Sequence, residues 1–415
     1  MTAGLSTYKT AMEQELRSIL DFWMQHTVDE KHGGFTGQID FLNHVIETAP
    51  KGSVLNARIL WSFAAAYNLT GNAQYLFYAE RAYNYICGYF IDKEFGGVYW
   101  TVDHTGKPLD TKKQVYAIAF TIYAFSEYYK AVKQPAIIQQ AINLYDAVIR
   151  HSYDKVHGGY IEAFSRDWQP MEDLRLSAKD ANEKKTMNTH LHVLEAFTNL
   201  YTVWPYEQLQ QKIKELVNDF LQHIISPQTN TQHLFFDEAW QPRSAIISYG
   251  HDIEAAWLLQ EAAEVIADDA LLTTVKQKAV AMADAVAEGL DADGGLWYEY
   301  EPAAKHLIKE KHMWPQAEAM VGFFNAWQNT GNELYLQQSI TSWSFVQQYI
   351  HDKQNGEWLW GVQEDYSSMQ KDKVGLWKCP YHNSRACMEI IKRVNAVWQT
   401  SQKRGKGTAA AVMGN

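Results

Sequence analysis

Between Ser248 and Leu259 the chain reads S-Y-G-H-D-I-E-A-A-W-L-L. On a helix, residues three apart share one drifting face, so His251, Glu254 and Trp257 would project together. An imidazole can pass a proton near neutral pH, a carboxylate can orient or charge that imidazole, and an indole offers a flat face to a sugar. Packing alone does not call for this set. Comparable residues open other expected helices: Arg58, Tyr116, Asn188 with His192, Trp314 with Glu318, and His382. Singly, each has an ordinary reading. His251 could be a core or capping histidine, Arg58 a buried ion-pair partner of Glu254 or Glu318, and Trp314 and Trp377 core. It is their shared position that needs an explanation.

The elements that must hold them are helical. Apolar residues recur at helical spacing over about 5–26, 53–69, 72–90, 114–132, 136–152, 186–203, 206–225, 250–266, 270–289, 313–328, 332–350 and 382–399. Between pairs of helices a Gly-Gly-aromatic turn returns: His32-Gly33-Gly34-Phe35, Phe95-Gly96-Gly97-Val98, His157-Gly158-Gly159-Tyr160 and Asp293-Gly294-Gly295-Leu296. Asn355-Gly356-Glu357-Trp358 closes the series, and a degenerate copy is placed at Leu234-Phe235-Phe236. The repeat is roughly 62 residues, longer than the common solenoid units. An open solenoid would show polar capping repeats. Here the end helices are as apolar as the rest, so the pattern predicts an all-α fold, an (α/α)6 barrel of twelve helices with short β-hairpins on its rim. The alternating stretch Leu296 to Tyr300 and the stretch Gly33 to Phe41 are expected as rim strands. If the even-numbered helices form the inner ring, their N-termini meet at one end, and residues hundreds of positions apart line one pocket. Residues 1–401 are read as one catalytic domain, 402–415 as a disordered tail, and the polar insertion 165–185 as a lid over the site.

Composition narrows the function. Of 415 residues, 47% are hydrophobic and 20% charged, ordinary for a soluble globular chain. The net charge of −11 comes without a basic stripe, so no nucleic-acid partner is expected. No apolar run reaches the roughly 20 residues of a membrane span, and the N-terminus has no signal-like core. Three cysteines without metal-ligand spacing point to a reducing compartment, and the chain is expected to be cytoplasmic and monomeric. Fifteen tryptophans and 24 tyrosines supply core, and also platforms on which sugars stack.

Rival chemistries fit less well. His190-Leu191-His192 is a pair whose members point apart on a helix, and no H-E-x-x-H occurs, so no metal site is expected. No nucleophile elbow or phosphate-binding glycine loop is present. Two carboxylates, Glu254 with Glu318 or Asp180, could be proposed for a glycoside hydrolase. Helix N-termini favour neutral imidazole, and Glu254 would favour the protonated ring if it touches His251. Two histidines so poised on opposite sides of a substrate suit removal of a proton from a carbon and its return on the other face, next to a carbonyl.

The stretches Asn56-Ala57-Arg58-Ile59-Leu60-Trp61, Lys185 to His192, Gly250-His251-Asp252-Ile253-Glu254, Met313-Trp314-Pro315-Gln316-Ala317-Glu318 and Trp377-Lys378-Cys379-Pro380-Tyr381-His382-Asn383 resemble the cellobiose 2-epimerases of the N-acylglucosamine 2-epimerase superfamily. The resemblance covers essentially the whole repeat region. It implies an (α/α)6 barrel acting on the reducing-end glucose of β-1,4-linked disaccharides, turning cellobiose into glucosyl-mannose and lactose into epilactose. Ring opening, C2 deprotonation, a cis-enediolate, C2–C3 rotation and reprotonation are implied. So are the roles: His251 and His382 as the acid/base pair, His192 assisting at the ring or carbonyl oxygen, and Glu254 and Glu318 orienting histidines or hydroxyls. Arg58 and Asn188 would hold oxygens of the open sugar, and Tyr116 would line the pocket. Trp257, Trp314 and Trp377 would shape or stack two sugar subsites, with Asp180 contributing from the insertion. No nucleotide, metal or other cofactor is implied. A mannobiose 2-epimerase or an aldose-ketose isomerase of the same superfamily shares these motifs.

Overall fold

The computed structural model describes residues 2–412, which form twelve α-helices: α1 Thr2–His26, α2 Ser53–Thr70, α3 Ala73–Tyr85, α4 Val115–Val132, α5 Pro135–His151, α6 Met187–Tyr201, α7 Glu207–Asp219, α8 Tyr249–Val265, α9 Asp269–Ala287, α10 Met313–Thr330, α11 Glu333–Phe345 and α12 Tyr381–Val412. Local signals set several starts. Asn72, Asp268 and Asn332 cap α3, α9 and α11 with their side-chain oxygens, and Pro135 opens α5. Helix α12 runs past the boundary at 402 where the sequence suggests a tail, and residues 413–415 of that stretch lie outside the described residues. No described helix is long and apolar enough to cross a membrane.

The even-numbered helices are the inner ring. Helix α2 is buried without interruption from Ser53 to Ala66, and α4 from Val115 to Tyr128. A helix apolar all round must be covered on every side. The odd-numbered helices bury one stripe, as α7 does with Leu209, Ile213, Leu216 and Val217. Each inner helix packs on the next, and α12 returns to α2.

Short strands stitch the units together at the end where the inner helices begin. The two residues before an inner helix pair with the strand after the turn of the next unit: Lys51 opposite Val102, Lys113 opposite Phe164, Lys185 opposite Phe236, Ile247 opposite Tyr300, Lys311 opposite Val362. The last stitch closes the ring, because Val374 bridges back to Ile39. The expected rim hairpin is present as Glu299–Glu301 with His306–Ile308. The stretch from Gly33 to Phe41 carries only isolated bridges, Phe35 to Val28 and Ile39 to Val45 and Val374, instead of a strand.

A buried lysine clamps each Gly-Gly turn. Lys51 reaches Asp29 (2.7 Å) and the Gly33 carbonyl, Lys185 reaches Asp154 (2.8 Å) and the Gly158 carbonyl, and Lys373 reaches Asp352 (2.7 Å) and the Gly356 carbonyl. Lys113 with Asp92 and Lys311 with Asp291 repeat the pair. The glycines have two reasons to be there. Gly34 has φ of 63°, and a Cβ on it would lie 2.5 Å from the Tyr85 ring. The fourth unit corrects the sequence reading: its turn is Ser226 to Gln232, with Asn230 at positive φ, and Phe235–Phe236 is the strand that follows. There Ser226 and Ile247 stand where other units carry the aspartate and the lysine. The pair is therefore lost together. Replacing Lys185 alone with isoleucine leaves the Asp154 carboxylate without its cation, held only by the Val156 and His157 amides, and is expected to cost about 3 kcal/mol in urea unfolding. The double change Asp154→Ser with Lys185→Ile, which copies the fourth unit, is expected to cost less than Lys185→Ile alone. A double variant at least as unstable as the single one would show that the pair is not coupled.

Candidate active site

The N-terminal turns of the inner helices converge as the repeat implies: Arg58 bonds Tyr116, whose ring meets His192, and Trp314 joins His251 to His382, with Asn188 one turn before His192 on α6. Each imidazole is held through its Nδ1. That of His192 lies 2.9 Å from Glu195 Oε2, that of His382 2.7 Å from Glu318 Oε1, and that of His251 2.8 Å from Ser248 Oγ. A carboxylate at Nδ1 fixes the tautomer and leaves Nε2 as the working nitrogen. Trp314 packs against two of the rings, with centroids 4.6 Å from His251 and 5.6 Å from His382. His190 is separate: its nitrogens meet the Thr186 carbonyl and the Tyr160 amide, so it is a structural residue.

The contact between Glu254 and His251 that the sequence allows is replaced by another. Glu254 accepts from Arg385 Nη2 (2.5 Å), which also bonds Glu318 Oε1 (2.7 Å). Arg385 Nη1 meets Glu195 and the Tyr381 hydroxyl, and that hydroxyl also donates to Glu195. One guanidinium thus ties together three buried glutamates, two of which orient histidines. Glu195, Arg385, Tyr381 and Ser248 were not anticipated. A signal was available for Glu195 and Arg385: each is a charged residue three positions after a histidine, in a stretch of helix whose neighbours are buried.

Arg58 is used differently. Its Nη2 donates to the Tyr116 hydroxyl (2.7 Å), and its guanidinium lies over the Phe120 ring (4.1 Å) and the Tyr381 ring (4.8 Å). Among the described residues no carboxylate lies within ion-pair distance of it, so its charge is left for a ligand oxygen. Asn188 Oδ1 is buried without a protein partner and can accept from a hydroxyl. Trp377 is half-buried and meets two buried rings, Tyr116 edge-on (5.9 Å) and Trp100 at a tilt (5.8 Å). Trp257 lies deeper. It is 2% exposed and donates to Glu318 Oε2 (3.1 Å), so it supports Glu318 from behind and presents no face to the pocket. Asp180 turns inward on its own loop, accepting from the Ser177 amide and hydroxyl. That loop is pinned on both sides: Gln114 donates to the Arg175 carbonyl, and Lys179 donates to the Tyr298 hydroxyl on the rim hairpin (2.8 Å).

Helix α12 is anchored so that His382 is held in register. Buried Glu357 accepts from Lys378 (2.9 Å), Asn383 (2.7 Å) and Trp23 (2.7 Å). Behind Arg385 lies a polar cavity of about 90 Å³, roomy enough for a few waters, into whose lining Trp61, Thr198 and Arg385 bring polar atoms without protein partners.

The charges do not balance by themselves. Arg58 and Arg385 face Glu195, Glu254 and Glu318, all buried. One additional proton makes the set neutral, which burial favours. Burial, followed by the charge of Glu318, pushes Glu254 up to about 7. Burial also raises Glu318 and pushes His382 well down, while Arg385 helps hold Glu195 at about 2 against its own burial. Those directions place the extra proton on the Glu254 and Glu318 pair and leave the His382 ring neutral. Burial, with His192, Lys179 and His382 nearby, takes His251 down to about 3, so that ring is neutral. Ligand atoms of Glu254, Glu318 and His382 lie within 4.8 Å of one another, a spacing a divalent ion could use. The Arg385 guanidinium already fills the cation's place between the two carboxylates. The same sharing leaves Glu254 and Glu318 side by side, whereas a hydrolase needs two carboxylates across a glycosidic bond.

The profile of the N-acylglucosamine 2-epimerase (GlcNAc 2-epimerase) family matches residues 33–386. A cellobiose 2-epimerase of Bacteroides fragilis is 45% identical over 92% of this chain and 98% of its own. One of Dictyoglomus turgidum is 36% identical over 94% of this chain and all of its own. The solved cellobiose 2-epimerase of Bacillus thermoamylovorans superposes with a TM-score of 0.90 at 37% identity, over 94% of this chain and 100% of that one.

Proposed function

Because the chain belongs to the N-acylglucosamine 2-epimerase family and is a carbohydrate epimerase, we propose that it interconverts glucose and mannose configuration at C2 of the reducing-end residue of β-1,4-linked disaccharides. Cellobiose and lactose are the proposed substrates, giving glucosyl-mannose and epilactose. The observation that carries the reading is the pair of imidazoles, His251 and His382, packed on one indole, with the carboxylate-free charge of Arg58 close by. His192, backed by Glu195, assists opening of the sugar ring by moving a proton at the ring oxygen. One of the paired histidines then takes the C2 proton. The electrons pass to the C1 carbonyl oxygen, forming a cis-enediolate whose negative charge Arg58 stabilises. Rotation about C2–C3 turns the other face of C2 toward the second histidine, which returns a proton. The carbonyl re-forms and the ring closes on the epimer. Proton delivery at C1 instead would give the ketose, so a small isomerase activity belongs to the same intermediate.

Trp377 and its neighbours Tyr116 and Trp100 are the proposed stacking strip, and Asn188 the acceptor for a sugar hydroxyl. The catalytic domain is taken as residues 1–401, working as a cytoplasmic monomer without nucleotide or metal. Incubation with cellobiose in D2O tests the reading. The expected product is mannose-configured at the reducing end and carries deuterium at C2 by NMR. Free glucose would establish a hydrolase instead, and unchanged cellobiose would remove the disaccharide assignment.

A further inference from the structure

The three histidines differ in what stands behind them. His192 and His382 have carboxylates at Nδ1, whereas His251 has a hydroxyl. Ser248 occupies the position immediately before α8, where a serine ordinarily turns its hydroxyl to cap the helix. Thr186 does this at the start of α6, accepting from the Thr189 amide. Ser248 makes no such cap. Fully buried and held in the stitch opposite Glu299, it gives its hydroxyl to the imidazole one turn on. The Trp314 ring from α10 packs on His251, and the charges that act on it most are those of His192 from α6, Lys179 from the loop and His382 from α12. None of these is an acid.

We propose that Ser248 is a positioning residue that fixes the His251 ring and leaves no charge behind it, so that the two histidines of the reaction are unequal: His251 is backed by a hydroxyl, His382 by the Glu318 carboxylate. A carboxylate at the same place would stabilise the imidazolium and hold the proton that the ring must give back. The hydroxyl serves either ring tautomer, donating to a bare Nδ1 or accepting from Nδ1–H. His251 can therefore gain and lose the C2 proton without a charge stranded behind it.

This inference rests on the two-histidine reading above, and the test separates the two. The variants are Ser248→Ala, Ser248→Thr and Ser248→Asp, with His251→Ala as control, each checked for folding by circular dichroism. The pH profiles of kcat and kcat/KM on cellobiose are measured. Ser248→Thr is expected to stay within about threefold of the parent, and Ser248→Ala to lose about tenfold or more in kcat with KM little changed. In Ser248→Asp the acid limb of kcat/KM moves up by one pH unit or more. Parent-like rates and profile in Ser248→Ala, or an unmoved limb in folded Ser248→Asp, overturn the proposal. If the aspartate variant does not fold, the alanine and threonine pair decides. Conversion of cellobiose to its C2 epimer that survives in His251→Ala overturns the two-histidine reading itself. A silent His251→Ala beside parent-like Ser248 variants overturns only the role of Ser248.

Discussion

Alanine in place of His382 is expected to stop epimerisation at C2 of the sugar while leaving the barrel folded. The ring sits at the pocket wall, 8% exposed, on a helix anchored independently through Glu357, Lys378 and Asn383. Its loss leaves Glu318 bonded to Arg385 and Trp257, so no carboxylate is orphaned. What disappears is the group that transfers a proton on one face of C2. Positioned acid–base catalysis contributes about 10²–10⁴-fold, and here the step has no second route, so the upper end or beyond is expected in kcat. The same holds for His251→Ala on the other face. The double variant should be scarcely worse than either single one, since removing half of a proton relay already stops it. Formation of the mannose-configured product by NMR, with kcat on cellobiose, measures both. Full activity in either single variant would sink the two-base assignment.

The ring of helices was legible because its signals are local and repeated. A Gly-Gly turn must recur where backbone passes through positive φ, and an inner helix must be apolar on all sides. The fourth turn escaped because Asn230 takes the left-handed conformation that glycine takes elsewhere. The spacing of His251 and Glu254 pointed to the site but gave the wrong neighbour. Three residues along a helix shift the side chain one turn deeper, and at that depth Glu254 meets Arg385 coming from α12. Such a meeting across the barrel axis has no trace in local spacing. The same reason moved Trp257 from the sugar face to the back of Glu318, whereas Glu195, three residues after His192 on its own helix, was within reach of local spacing.

Arg385 is where this deeper layer can be tested most severely. Removing its guanidinium leaves Glu195, Glu254 and Glu318 with no full positive charge bonded to them, each at most 4% exposed. Breaking one buried pair costs about 3–5 kcal/mol, and here three contacts go at once. Arg385→Met is therefore expected to be strongly destabilised at neutral pH. The sign of its pH dependence follows from linkage. Glu254 already has a folded pKa raised above its unfolded value, to about 7, by burial and then Glu318, with Arg385 opposing. Without Arg385 it rises further, and Glu318 with it. The folded state then binds more protons than the unfolded state above the usual carboxylate range, so stability is present at low pH and lost as pH rises through the raised pKa. Glu195, held at about 2 with Arg385 as its largest favourable partner, moves in the same direction. Thermal melts of Arg385→Met are thus expected to show a midpoint that falls from pH 5 to pH 8 more steeply than in the parent. Arg385→Lys keeps the charge, but one ammonium cannot reproduce the fork that reaches three carboxylates and Tyr381. It should fold, with a pH slope between the two, and lose about 100-fold or more in kcat because the glutamates behind His192 and His382 are no longer fixed. A methionine variant whose midpoint rises with pH like an ordinary acid-sensitive protein would mean that the three glutamates do not depend on this arginine for their charge.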